Sequence, residues 1–145
     1  MKPTILIVDD NEPLLRLLKA IFEKNFTVIT AEDGVDAIYL LSRGIRPRLV
    51  LCDLQMQNIN GYELVAHLAT SSLYQDIPVI LLSETDQEEV DSPNVARVIR
   101  KPFDPLFLEA AVTQVFNAIP TPAERRPAQK AMAQKAAYFT NTIKS

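Results

Sequence analysis

Five positions in this 145-residue chain put reactive side chains at or just beyond the ends of short apolar runs. Asp9 and Asp10 follow Thr4-Ile5-Leu6-Ile7-Val8, and Asp53 follows Leu49-Val50-Leu51-Cys52. Ser83 follows the run from Ile77 to Leu82, and Lys101-Pro102 comes after Val95-Ala96-Arg97-Val98-Ile99. Three carboxylates in one pocket repel one another, and one takes up a proton unless a cation intervenes. An all-oxygen set suits Mg²⁺ better than zinc. A carboxylate so placed can be the nucleophile in phosphoryl transfer and form an acyl phosphate. The Lys101 ammonium can pair with one phosphoryl oxygen, and the Ser83 hydroxyl can donate to another. Singly these residues are commonplace: an acidic loop pair, a solvated lysine, a strand-end serine. Their placement at the ends of four separate runs sets them apart.

That placement requires strands that share one edge. Arg48 to Asp53 holds four apolar residues in succession, the pattern of a strand buried on both faces. Asn11 predicts a helix cap with Pro13 in the first turn, followed by Leu14, Leu18, Ile21 and Phe22 at helical spacing through Lys24. Phe26 to Thr30 reads as the second strand. Asp33 and Gly34 open a second helix with Ala37, Ile38 and Leu41 inward, and Gly44 closes it in the position of a left-handed cap. A polar loop from Leu54 to Asn60 leads through Gly61 into a third helix, with Leu64, Val65 and Leu68 inward. The acidic stretch from Glu84 to Asn94 holds at most a turn or two of helix. Asp104 and Pro105 start a last helix to about Ile119, with Leu108, Val112, Val115 and Phe116 as its apolar positions. Strands alternating with helices predict a flavodoxin-like α/β fold, a doubly wound five-stranded parallel sheet in the order 2-1-3-4-5. The crossover between the fourth and fifth strands is expected to be short or irregular as a helix. Asp9, Asp10 and Asp53 then face one another at the switch point of the sheet.

Composition bounds the function. A hydrophobic share of 48% and a charged share of 23% suffice for one soluble core. Residues 1–119 hold ten Lys and Arg against 17 Asp and Glu, a net of −7, whereas residues 120–145 carry +4. The acidic body argues against nucleic-acid binding. The division suggests a domain over residues 1–119 and a Pro-, Ala- and Lys-rich tail over 120–145. Within that tail Met132, Ala136 and Phe139 form a thin apolar stripe, expected to order on a partner, and Arg125-Arg126 reads as a solvated linker step. No apolar run approaches the ~20 residues that span a bilayer, and no signal-peptide pattern precedes the first strand. The expected location is therefore cytoplasmic, with no membrane contact. The single cysteine, Cys52, rules out an internal disulfide and a cysteine metal cluster. By strand alternation its thiol points away from Asp53. His67 reads as a helix-surface residue. Only three glycines are present, so no Gly-rich phosphate loop exists.

Taken in order, Asp9-Asp10, Asp53, Ser83 and Lys101-Pro102 resemble the motifs of the response-regulator receiver domain, over residues 4 to about 119. The resemblance implies that Asp53 is the phospho-acceptor. It implies that Asp10 and Asp53 are side-chain ligands of Mg²⁺, with Asp9 assisting through water and the Gln55 backbone carbonyl as the third protein ligand. Ser83 matches the switch hydroxyl, and Lys101 the phosphate-pairing lysine, whose bond to Pro102 is expected to be cis. Met56 and Gly61 also match. Four features depart from the pattern. Gln57 stands where proline is common, Glu84 where a small residue is usual, and Val98 where an aromatic switch is expected. The stretch from Ser83 to Lys101 is shorter by about one helical turn, roughly 4 residues.

The expected function is that of a stand-alone receiver. It takes a phosphoryl group from a partner histidine kinase or phosphotransfer protein and signals by contact with a downstream protein, catalysing only its own phosphotransfer and dephosphorylation. A receiver-like adaptor that binds regardless of phosphorylation is the alternative. A phosphohydrolase with an aspartyl nucleophile fits less well, since such enzymes often separate nucleophile and acid by two positions, and Asp9 and Asp10 are adjacent.

Overall fold

The computed structural model describes residues 1–85 and 90–120. Its strands are β1 (Thr4–Val8), β2 (Thr27–Ala31), β3 (Leu49–Asp53), β4 (Val79–Ser83) and β5 (Val95–Arg100). All pair in parallel, in the order β2-β1-β3-β4-β5. The helices are α1 (Glu12–Phe22), α2 (Gly34–Ser42), α3 (Gly61–Ala69) and α4 (Pro105–Ala118). The fold is the flavodoxin-like one the alternation of elements predicts.

β3 and β4 are buried at every residue, which explains why their sequences show no polar alternation. Successive side chains leave a strand on opposite faces, and two cores result. Ile5, Ile7, Leu49, Leu51, Ile80 and Leu82 pack with residues of α1 and α4. Leu6, Val8, Val50, Cys52, Val79 and Leu81 pack with residues of α2 and α3. Burying one leucine or isoleucine in such a core contributes about 1.5–3 kcal/mol.

Each helix starts on a side-chain cap that satisfies an otherwise unpaired N–H. Asn11 accepts from the Leu14 amide at 3.0 Å, Asp33 from Asp36 at 2.7 Å, and Asp104 from Leu106 at 2.8 Å. Asn60 and Glu63 form a reciprocal capping box on α3. The buried face of α1 is Leu15, Leu18 and Phe22, with Leu14 and Ile21 partly buried at its flank. The inner stripe is thus rotated slightly from the one the apolar spacing suggests. β2 begins one residue later than expected, because the Phe26 amide donates to the Phe22 carbonyl at 2.9 Å and closes α1. The Phe26 ring then meets Phe22 and Phe116 edge-on, with centroids 6.2 and 5.3 Å apart.

Among the described residues between β4 and β5 there is no helix, as the acidic composition of that stretch suggests; residues 86–89 lie outside the description. The β4–β5 register slips by one residue, so Val79 faces Val95 while Ile80 faces Arg97, and Ala96 forms a bulge. Residues 121–145, with the basic step and the apolar stripe of the tail, also lie outside the described residues. No helix among the described residues is long and apolar enough to cross a membrane. His67 is exposed on α3.

Gly61 sits where α3 starts against the end of β3. A Cβ there would lie 2.7 Å from the Asp53 carbonyl oxygen and 2.8 Å from the Leu54 Cα, both backbone atoms that cannot swing aside. Gly61→Ala is expected to lower stability by about 1–3 kcal/mol in urea titrations. A loss below about 0.5 kcal/mol would show that the β3–α3 junction relaxes freely.

Candidate functional site

The carboxyl ends of four strands converge because parallel pairing keeps them level. Val8 pairs with both Ala31 and Cys52, Asp53 with Leu82, and Ser83 with Arg100. The residues at or just past these positions are Asp9, Asp10, Asp53, Ser83 and Lys101. Asp9 is fully buried, Asp53 is 3% exposed, and Asp10 is exposed. The Lys101 ammonium lies 3.0 Å from Asp9 Oδ2 and 3.3 Å from Asp53 Oδ1 and so bridges the two buried acids. Its backbone N–H donates to the Ser83 carbonyl at 2.7 Å, and the Lys101–Pro102 bond is cis. Asp9 Oδ1 accepts from the Asn11 amide at 2.9 Å, and Asp53 Oδ1 from the Gln55 amide at 3.3 Å.

One ammonium does not offset three carboxylates. Burial, and then the neighbouring Asp9 charge, push the Asp53 carboxyl up to about 6, with Lys101 acting in the opposite sense. Burial alone would depress the Lys101 ammonium, but Asp9 and Asp53 outweigh it and hold that group above its ordinary value. The Cys52 thiol is raised by burial first and then by Asp53, so it stays protonated; it packs in the core away from the acids.

Carboxylate oxygens of Asp9, Asp10 and Asp53 lie within 4.8 Å of one another. With Lys101 the ionised cluster carries a net −2, and Asp10 opens it to water. The donor set and the residual charge fit a hard divalent cation that keeps part of its water shell, as Mg²⁺ does.

Ser83 is fully buried, and its hydroxyl is taken up by its own loop. Oγ donates to the Thr85 carbonyl at 3.1 Å and accepts the Thr85 amide at 3.1 Å. Glu84 is exposed, and its amide donates to Gln55 Oε1 at 3.3 Å. Glu84 and Lys101 line an open hollow of about 470 Å³ together with Leu14, Leu17, Phe103 and Pro105. Val98 is 37% exposed on β5 and does not reach into the site from a buried position. Two contacts are invisible to periodicity and motif spacing. One is the Gln55–Glu84 link across the two strand-end loops; the other joins Asn58 to Asp33, 25 positions apart, at 3.0 Å.

A family model described as the response regulator receiver domain matches residues 5–113. The chain is 32% identical over 119 residues to a chemotaxis protein CheY homolog of Campylobacter jejuni, covering 78% of this chain and 92% of that protein. It is 31% identical over 120 residues to hybrid signal transduction histidine kinase D of Dictyostelium discoideum, covering 80% of this chain but 8% of the kinase. Among solved structures, it is similar to a CheY-like response regulator receiver domain protein from Methanospirillum hungatei. The TM-score is 0.71 at 27% identity, over 82% of this chain and 98% of that one.

The environment of Asp53 has a consequence for stability. With its carboxyl raised to about 6, the folded protein holds that proton more tightly than the unfolded chain, where the value is about 3.9. Without divalent cation, this group's contribution is therefore most favourable below about pH 4 and is lost as pH rises through about 6. Relative to wild type, Asp53→Asn is expected to gain about 1–3 kcal/mol at pH 8 and to lack this part of the pH slope. Denaturant titrations of both proteins across pH 4–8 measure the difference; curves that stay parallel would place the strain on another group.

Proposed function

The chain belongs to the response regulator receiver domain family, and from that premise we propose that it accepts a phosphoryl group on Asp53 from a partner histidine kinase or phosphotransfer protein. The observation that carries the proposal is the Lys101 ammonium lodged between Asp9 and Asp53 at 3.0 and 3.3 Å. A cation held there by two carboxylates is placed to meet a phosphoryl oxygen once Asp53 is modified.

The Asp53 carboxylate attacks phosphorus; the new O–P bond forms as the bond to the donor's leaving group breaks. Attack consumes the negative charge of Asp53 and brings in the charges of the phosphoryl oxygens. Lys101 can then exchange its contact with Asp53 for one with the incoming group. The Gln55 amide, already bonded to Asp53 Oδ1, holds the carboxylate's orientation. Asp10 and Asp53, with Asp9 assisting and the Gln55 backbone carbonyl, would hold Mg²⁺, which when bound neutralises developing charge on the phosphoryl oxygens. Ser83 must exchange its bonds to Thr85 for one to the phosphoryl group, so its loop is the first element to move. On this reading the chain catalyses only its own phosphotransfer and dephosphorylation, resides in the cytoplasm, and signals by contact with a downstream protein.

The hollow beside Lys101 suits a protein donor, with Leu17 48% exposed on its wall. The second reading, an adaptor that works without phosphorylation, is favoured by two observations. The Ser83 hydroxyl is already satisfied, and Val98 is too short to follow it inward.

Incubation with acetyl phosphate and Mg²⁺, followed by intact mass measurement, separates the two. Wild type is expected to gain one phosphoryl group and Asp53→Asn none. Lys101→Ala is expected to slow modification by about tenfold or more and, because it leaves two buried carboxylates without their cation, to lower the thermal midpoint of the metal-free protein. Asp10→Asn is expected to raise the Mg²⁺ concentration needed. Modification that persists in Asp53→Asn would refute the acceptor assignment, and unmodified wild type would favour the adaptor.

A further inference from the structure

The 54–60 loop carries Gln55, whose amide is bonded to the reacting carboxylate, yet the loop contains neither glycine nor proline. Without a proline the unfolded loop has more conformations to lose, and Gln55, Gln57 and Asn58 are exposed. At its near end the loop is fixed by the bond from the Leu54 amide to the Leu82 carbonyl at 2.9 Å. The bond from the Gly61 amide to the Leu54 carbonyl at 3.1 Å closes it. Its far side leans on the start of α2. Asn58 adopts φ 63°, a left-handed conformation that asparagine tolerates better than most residues. Its Nδ2 donates to Asp33 Oδ2 at 3.0 Å. The other oxygen of the same carboxylate accepts the Asp36 amide and caps α2. Beside it the Gly34 amide donates to the Ile59 carbonyl at 3.2 Å, and a Cβ at position 34 would lie 2.5 Å from that oxygen. Asp33 therefore spends one oxygen on its helix and one on a loop 25 positions away. The Asp36 amide first, and then Asn58, hold its carboxyl below the ordinary value.

We propose that Asp33 is a positioning residue: through Asn58 it holds the 54–60 loop, and with it the Gln55 backbone, in register with Asp53 for phosphoryl acceptance. The proposal rests on the reading of Asp53 as acceptor.

Asn58→Asp isolates the contact. Asp33 is untouched, so α2 keeps its cap, and aspartate also tolerates the left-handed conformation. The new carboxylate presents only acceptors to Asp33 Oδ2, and the loop bond is lost. Combining Asn58→Asp with Asp33→Asn restores a donor–acceptor pair with the roles exchanged and the net charge of the wild type, and a carboxamide caps a helix as well as a carboxylate does. Two readouts are followed: amide exchange at residues 54–60 in metal-free protein, and the rate of modification by acetyl phosphate with Mg²⁺. The single variant is expected to speed exchange and slow modification, each by about three- to tenfold, the scale of one hydrogen bond. The double variant is expected to recover both, with the thermal midpoint of each protein close to wild type. Unchanged exchange in Asn58→Asp would overturn the proposal. So would a double variant that fails to recover, since the loss of the Asn58 carboxamide itself would then account for the effect. If wild type itself takes no phosphoryl group, the acceptor reading fails, and exchange alone still decides whether Asp33 holds the loop.

Discussion

Asp9 and Asp53 are both nearly sealed from water and share a single ammonium, with Asp10 adding a third carboxylate at the solvent edge. Removing a charge from water is costly unless an opposite charge meets it at close range. Lys101 meets two acids at once and cannot neutralise three. The shortfall appears at Asp53, where burial and Asp9 together raise the carboxyl to about 6. A group in that condition gains from any arriving positive charge, and attack on phosphorus would discharge it. On the proposed reading, the same imbalance that weakens the fold around Asp53 prepares it to react.

The sheet exists to enforce this crowding. β1 and β3 are neighbours in the sheet but not in sequence, and their parallel register sets Val8 against Cys52. Asp9 and Asp53 therefore continue into the same space at the strand ends. β5 supplies Lys101 from the far edge, and its backbone bond to the Ser83 carbonyl fixes where the ammonium stem begins. Non-alternating apolar runs in β3 and β4 leave nothing polar to compete with the site. Close backbone approach at Gly61 keeps α3 against the Asp53 carbonyl, so β3 ends in a fixed direction.

The parts of this arrangement that depend on local chemistry were legible in the sequence. Asn11, Asp33 and Asp104 announced three helix starts; the alternation of strands and helices pointed to the strand order, and the acids and lysine after the apolar runs to the members of the cluster. What depends on contacts across the fold was not legible. Phe26 leaves β2 because its amide and ring are claimed by Phe22 and Phe116, which no period of two or of 3.6 encodes. The bulge at Ala96 follows from pairing with β4, not from a turn residue. Ser83 could be placed at the site, but the direction of its hydroxyl is set by Thr85, two positions on. The Asp33–Asn58 bond joins two loops whose proximity only the assembled sheet creates. Asn58 in a polar loop was the sole hint, as a residue that accepts left-handed backbone.

The most direct measurement is the titration of the Asp53 carboxyl itself, followed by carbon NMR with selectively labelled aspartate and assigned by its absence in Asp53→Asn. Burial and the Asp9 charge predict a midpoint near 6 in metal-free protein, falling when Mg²⁺ is added as the cluster's excess negative charge is met. A midpoint near the ordinary value of about 3.9 without metal, or one indifferent to Mg²⁺, would contradict the claim that an under-neutralised buried carboxylate drives this site.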